Sequence, residues 1–397
     1  MTDDNIEARL NWFSFSELPK TFRDAVRVTR ELGIKYLWID SLCIVQWNTA
    51  DWKHEADRMK DVFASAYCTI AATSAVDSNA GFLGRNGSTE YVHVQGASGK
   101  QFYICADMDD FDNDVGKSQL NTRAWVMQER VLARRTIHFS ANQTYWECGE
   151  GVYCENLTRM QSSLRKKYLL LDSNFPKRLH KSGDQRTVEF IHLLFEDYSK
   201  RNLTKMVDRC IAISGLEDRI AAALKCRSRY GIFQQYRHRN LLWQASNGDM
   251  KEIAYDHHVP SWSWMAYSGG IQFMSIPFGE VDWIDHLRFD EECEGDHAII
   301  SSLWTFQDCM MGPYEAQYAV LDSNGAKRGW IQYDVEGSKD LCKEQCVVVG
   351  RKSNSSIEEY YILVVRSTSV DVEYKRVGVG LIQSDCVVKR RPNVRVV

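Results

Sequence analysis

Tyr36-Leu37-Trp38-Ile39-Asp40 opens a stretch running to Tyr67-Cys68-Thr69-Ile70-Ala71-Ala72, and it reads as strand, loop, helix, strand. The apolar run 36–39 stops at Asp40, and a polar loop from Ser41 to Ala50 follows. Asp51 offers a side-chain oxygen to the free N–H groups of a helix expected over Trp52 to Ala66. Tyr67 to Ala72 has the β-branched, apolar character of a second buried strand. On the helix, Met59, Val62, Phe63 and Ala66 recur at three- and four-residue spacing and mark the inward stripe. Glu55 lies four residues before Met59, on that stripe or its edge, while Lys53, Asp57, Lys60 and Asp61 fall mostly on the solvent side. A glutamate aimed inward needs a partner, a proton or a chemical task. Asp40 stands at the carboxyl end of a strand, where open α/β sheets place their ligands. The plainer alternative is that Asp40 caps a loop and Glu55 meets an arginine, since ion pairs also perturb carboxylates.

Upstream, Pro19 suits the start of a helix over Lys20 to Leu32, and Gly33 suits its left-handed end. Phe22, Val26, Thr29 and Leu32 would share one face, and Ile34 to Ile39 follows at once. Helix, strand, helix, strand with apolar strands implies a parallel sheet covered on both faces. No obvious strand precedes Leu18. Downstream, Tyr91 to Val94 and Phe102 to Cys105 flank a glycine-containing turn, as in a hairpin. Asp107 to Asp114 reads as an acidic loop, Ala124 to Leu132 as a helix, and Thr136 to Phe139 and Thr144 to Cys148 as short strands. Val188 to Ser199 and Leu203 to Leu224 read as helices, the second interrupted at Gly215. Beyond Pro260 the pattern turns to β, with Val347–Val349, Tyr360–Val365 and Arg376–Ile382 as an antiparallel meander. The expected division is 1–155, a mainly helical 156–259, and a β-rich 260–397.

The chain has 397 residues, enough for more than one domain. Its 49 basic and 53 acidic residues give a net charge of -4, which argues against a general nucleic-acid binder. The 12 cysteines are scattered, and the spacings of Cys148/Cys154 and Cys342/Cys346 match no common zinc module, so no metal is expected. No apolar run approaches the ~20 residues of a membrane span. Met1-Thr2-Asp3-Asp4-Asn5 lacks the layout of a signal peptide, so a cytoplasmic location is expected. Lys389-Arg390-Arg391-Pro392 reads as a solvated basic tail.

Three segments coincide with one pattern. They are Leu18-Pro19-x-Thr21-Phe22-x-Asp24-Ala25 leading into Tyr36-Leu37-Trp38-Ile39-Asp40-Ser41-Leu42-Cys43-Ile44; Asp51-Trp52-x-x-Glu55 with Met59 and Val62-Phe63; and Asn121-Thr122-Arg123-Ala124-Trp125-Val126-Met127-Gln128-Glu129-Arg130. In composition, order and spacing they resemble the heterokaryon incompatibility (HET) domain of filamentous fungi. Pro260-Ser261-Trp262-Ser263-Trp264 is similar to a segment common in the C-terminal halves of such proteins. The resemblance implies non-self recognition, with growth arrest or cell death after incompatible hyphae fuse. HET domains in turn look like Toll-receptor-type (TIR) domains, a flavodoxin-like α/β fold. Some TIR domains cleave NAD with a glutamate on a helix following a central strand.

Carried onto this chain, the resemblance makes Glu55 the candidate catalytic residue. NAD would be a substrate, and no cofactor is implied. Asp40 and Ser41 would orient the substrate or Glu55, and Trp52 and Trp125 are flat surfaces for a ring or packing residues of the core. Arg123 or Arg130 would meet a phosphate or form a surface ion pair. Glu129, in the same segment, is a further candidate for substrate binding, and a helical turn sends it and Gln128 to different faces. Cys43 reads as a buried thiol, because nothing places His54 beside it as a base. HET domains usually begin with a strand bearing Ser-Tyr-x-Trp-Gly, which is not found before Leu18 here. Without it, a neighbouring strand is expected to lie uncovered and one wall of the site to be absent. Three readings stay open: an NAD glycohydrolase-type enzyme, a non-enzymatic module that self-associates through this domain or binds a protein partner, or an inactive truncated family member.

Overall fold

A computed structural model describes residues 1–84, 91–96, 99–105, 110–155, 159–160, 179–248, 250–290, 297–314, 317–335, 344–353 and 357–397. The chain divides into two compact units. The first comprises Met1–Arg178, Arg201–Leu203 and Ile211–Leu216; the second comprises Leu179–Lys200, Thr204–Cys210 and Glu217–Val397.

The first unit is α/β. Its helices are α1 (Ile6–Asn11), α2 (Lys20–Glu31), α3 (Asp40–Cys43), α4 (Thr49–Ser65) and α5 (Ala124–Leu132). Its strands are β1 (Thr69–Ala71), β2 (Tyr91–Gln95), β3 (Gln101–Cys105), β4 (Arg135–Phe139), β5 (Thr144–Cys148) and β6 (Gly151–Cys154). β2 and β3 form the expected hairpin. The main sheet runs β1-β4-β5-β6. Only β1 and β4 are parallel; β5 and β6 continue antiparallel, because short turns join β4, β5 and β6 where a parallel sheet needs crossovers. The sheet is therefore mixed, and the expectation of a parallel one is corrected. Residues 34–39, expected as a strand, pair with no other strand among the described residues.

Local chemistry sets the helix ends. α2 begins directly after Pro19, and Gly33 takes the left-handed conformation at φ +70°, its N–H donating to Arg30 O at 2.9 Å. α4 starts earlier than Asp51 suggests. Asn48 caps it, its Oδ1 accepting from the N–H groups of Ala50 and Asp51 at 3.1 Å each. Asp51 instead accepts from Val45 N–H at 2.7 Å and pins the preceding loop. Asp112–Gly116, which overlaps the end of the stretch expected as acidic loop, forms a π-helical turn, while residues 107–109 lie outside the described ones. Gly215 does not interrupt its helix, which runs Ile211–Leu224. It serves close approach: a Cβ there would lie 2.5 Å from Lys60 Cβ, and its N–H donates to Gln128 Oε1 at 2.9 Å.

The second unit holds the helix Asp184–Ser199 and a ten-stranded sheet. The expected meander is present as Gln345–Lys352, Glu359–Ser367 and Glu373–Gln383, paired antiparallel in turn. Val387–Val396 and Ile299–Phe306 link the two ends of that meander, so five strands close into a barrel-like ring. Val348, Ile362, Val364 and Ile382 are buried in its core. Lys389 to Pro392 belong to one of these strands rather than to a tail. Trp262 and Trp264, of the segment similar to HET-protein C-terminal halves, are fully buried. Trp262 Nε1 donates to His297 O at 2.8 Å, which marks a structural role.

Candidate functional site in the first unit

A groove of about 710 Å³ opens on the first unit. One wall comes from α2 and the segment after it, including Thr29, Leu32, Leu37 and Trp38. The other comes from the end of α4 and the approach to β1, including Val62, Phe63, Ala66 and Ile70. Val62, Phe63 and Ala66 belong to the expected stripe of the α4 segment. They are only half-buried because the groove leaves them uncovered, while Ala56 and Met59 go fully inside.

Asp40, Arg123 and Glu129 also line the groove. Asp40 opens the one-turn helix α3, its Oδ1 accepting from the N–H of Ser41 at 2.6 Å. Arg123 is exposed at the start of α5, and Glu129 lies further along that helix. Burial pushes the Glu129 carboxyl up to about 7, the negative charge of Asp40 adds to the rise, and Arg123 opposes it. Its surface is not fully closed, because the groove admits solvent to it. It is an acid that titrates near neutrality beside a second carboxylate and a guanidinium. Such an arrangement can hold or release a proton next to a bound ligand.

The other candidates are placed elsewhere. Glu55 is partly buried on α4, with its side chain 17% exposed, and does not line the groove. Arg58 Nη1 donates to its Oε1 at 2.8 Å, and His54 Nε2 lies 3.7 Å from the same oxygen. Trp52 and Trp125 meet edge to face with ring centroids 6.4 Å apart, joining α4 to α5. Ser41 Oγ is buried with no hydrogen-bond partner among the described residues, and Ser41 is not a groove residue. Cys43 is exposed, not buried, because it ends the short helix α3 instead of lying in an interior loop. Gln128 and Glu129 do point apart: Gln128 is buried against Gly215, while Glu129 reaches the groove.

A polar cluster that the motifs mark only at Arg130 lies on the buried face of the sheet. Glu147 on β5 accepts from Arg130 Nε at 2.8 Å and Nη2 at 2.6 Å, and His138 Nε2 on β4 lies 2.7 Å from its Oε2. Arg130 is thus held by a buried carboxylate, and its Nη1 also donates to Asn121 Oδ1 at 3.4 Å. Burial alone would raise Glu147, but Arg130 and His138 outweigh it and bring it down to about 2. Burial, countered only in part by Glu147, pushes His138 below its ordinary value. Strand alternation carries the signal for this cluster, since His138 and Glu147 fall at buried period-2 positions of adjacent strands.

Residues 2–129 match the sequence model of a family described as Heterokaryon incompatibility protein (HET). No curated protein matches the chain, and no solved structure does. The residues that line the groove, Ala25 to Glu129, all fall within the matched span.

Proposed function

We propose that this HET-domain protein acts in fungal non-self recognition, triggering growth arrest or programmed cell death when incompatible hyphae fuse. We further propose that the polar end of the groove is its effector site, with NAD as substrate in the manner of TIR-like glycohydrolases. The observation that carries the site is the Asp40–Glu129 carboxylate pair beside Arg123, in a groove of the HET domain.

Cleavage of NAD breaks the bond between ribose C1′ and the nicotinamide nitrogen. Nicotinamide leaves with the bonding electrons, water adds to the oxocarbenium-like ribose, and the water's proton is released. The protein must supply an anion near the ribose, contacts to its hydroxyls and shelter from water. In this reading Asp40 is the anion, protonated Glu129 donates a hydrogen bond to the ribose, and Arg123 pairs with the pyrophosphate. Glu55, the residue matched by the TIR resemblance, would have to leave Arg58 to take part.

A second reading is a non-enzymatic module that signals by association, and the engagement of Glu55 by Arg58 outside the groove favours it. Incubating the purified full chain with NAD and measuring released nicotinamide separates the two. The enzymatic reading expects turnover that Asp40→Asn and Glu129→Gln abolish, and a parallel Glu55→Gln variant tells which carboxylate is chemical. Absence of turnover under self-associating conditions, with cell death intact in hyphae, leaves the associative reading.

A further inference from the structure

Lengths of backbone along both walls of the groove are without strand partners among the described residues. Among the described residues, the backbone of Lys35 to Trp38 makes no hydrogen bond, although Ile34 N–H is held by Thr29 O at 3.0 Å and Ile39 O accepts from Leu42 and Cys43. The following residue is still extended, Ile39 lying at φ -135° and ψ 123°. Opposite, β1 pairs with β4 along one edge, and no described strand pairs with the other. Thr69 Oγ1 on β1 is buried without a partner among the described residues. Two lengths of unpaired backbone therefore border one groove.

Free donors and acceptors in this setting are costly unless something supplies the complementary groups, and an extended chain does so most completely. The dimensions agree. With ~3.3 Å rise, ~4.8 Å between strands and ~10 Å between packed layers, one strand residue fills roughly 160 Å³. The groove volume of about 710 Å³ thus takes about four or five residues. The lining sets the side-chain chemistry. Apolar residues arrive from two helices and their C-terminal ends, Ala25 on α2 with Leu32 just after it, and Val62 and Phe63 on α4 with Ala66 just after it. A strand lying between two helices is apolar at every position, unlike the alternating strand of a half-solvated sheet. Leu32 is 38% exposed and Tyr36 87% exposed, so this apolar lining is uncovered.

We propose that the groove is a strand-acceptor site that takes an extended, continuously apolar segment of about five residues from another polypeptide, hydrogen-bonded to the backbone of 35–38 and to the free edge of β1. The site uses the backbone groups and apolar walls of the groove whose polar end carries Asp40 and Glu129, so a bound segment and NAD would compete for the same space. Recognition of this type draws affinity from main-chain bonds and specificity from side-chain pockets.

The test uses the full chain and a fluorescein-labelled peptide, acetyl-Lys-Val-Ile-Val-Tyr-Ile-Lys-amide. Two controls carry the same side chains with alternate backbone nitrogens methylated, in the two possible phases. Binding is read by fluorescence anisotropy, and hydrogen exchange is followed at residues 35–38 and 69–71. The proposal expects saturable binding, at least tenfold weaker binding of one methylated control, and slowed exchange in both segments. Leu37→Pro, which removes one wall N–H, is expected to weaken binding at least threefold. Equal binding of all three peptides overturns it, because side-chain adhesion alone would then explain the signal. So does unchanged exchange at saturating peptide, or no binding at millimolar peptide by a chain whose circular dichroism is native. NAD turnover is a separate readout, and its presence or absence leaves this result untouched.

Discussion

Asp40 and Glu129 place two carboxylates in one groove, and burial, with the charge of Asp40 added, holds Glu129 at about 7. A glutamate whose folded value exceeds its ordinary 4.5 favours folding in its neutral form. That contribution is complete below about 4.5 and is lost as pH rises through about 7. Glu129→Gln keeps the shape without the charge. It is expected to match the parent near pH 4 and to be more stable at pH 8 by on the order of 1–3 kcal/mol, at ~1.4 kcal/mol per unit of pKa shift less what the open groove screens. Urea denaturation at the two pH values checks this; equal stability at pH 8 would show that the carboxyl ionises without penalty.

Glu147 has the opposite sign. Its folded value of about 2 lies below its ordinary 4.5, so its contribution is present above about 4.5 and disappears as pH falls towards 2. Arg130→Met removes the bidentate partner and leaves a buried carboxylate with His138 alone. The expected cost at pH 7 is about 3–5 kcal/mol, the usual result of breaking a buried pair on one side. Thermal unfolding and near-ultraviolet circular dichroism report it. Combining Arg130→Met with Glu147→Gln should recover part of the loss, because no net charge is then stranded.

Much of the first unit can be read from sequence because its signals are local. Ala124–Leu132 follows from apolar spacing, Lys20–Glu31 from Pro19 and Gly33, and β5 from its alternation. Residues 34–39 have the composition of a buried strand, but a ladder needs a neighbour, and composition carries no information about one. The mixed sheet is missed for a related reason, since strand direction follows from the short turns between β4, β5 and β6. Asn48 and Asp51 are both good caps, and only the competing bond from Val45 N–H assigns the role to Asn48. At the site, Asp40 and Glu129 both belong to the recognised segments, but the groove that joins them depends on residues 89 positions apart in the chain. Of the Glu147 cluster only Arg130 lies in a recognised segment, and His138 and Glu147 are brought to it by the alternation and register of β4 and β5.

Glu55 and Arg58 form an i, i+3 pair on α4, with the arginine side chain 60% exposed. Pairs of this kind contribute about 0–1 kcal/mol. Glu55→Gln should therefore change stability by less than about 0.5–1 kcal/mol in a urea titration at pH 7. The measurement gives the cell-death assay its meaning. If the variant folds like the parent and loses function, the loss belongs to chemistry or binding at Glu55. A larger loss of stability would leave that assay unable to assign a role.

Gly215 sits inside its helix with Lys60 Cβ 2.5 Å and Gln128 Oε1 3.0 Å from where a Cβ would project. Alanine normally improves a helix interior over glycine by about 1 kcal/mol. Here the near atom on Lys60 is at the base of its side chain, so α4 would have to move rather than a flexible tip. Displacement would also stretch the bond from Gly215 N–H to Gln128 Oε1. Overpacking of this kind costs roughly 1–3 kcal/mol and so outweighs the propensity gain. Gly215→Ala should then lower the urea midpoint, whereas Gly215→Ala with Gln128→Ala should not restore it, because the contact with Lys60 persists. Lys60→Gly would relieve that contact at the price of a second helix-interior glycine, so it should restore the local packing seen by hydrogen exchange in α4 while leaving overall stability below the parent. A midpoint that rises in the single variant would place the two helices further apart than these distances require.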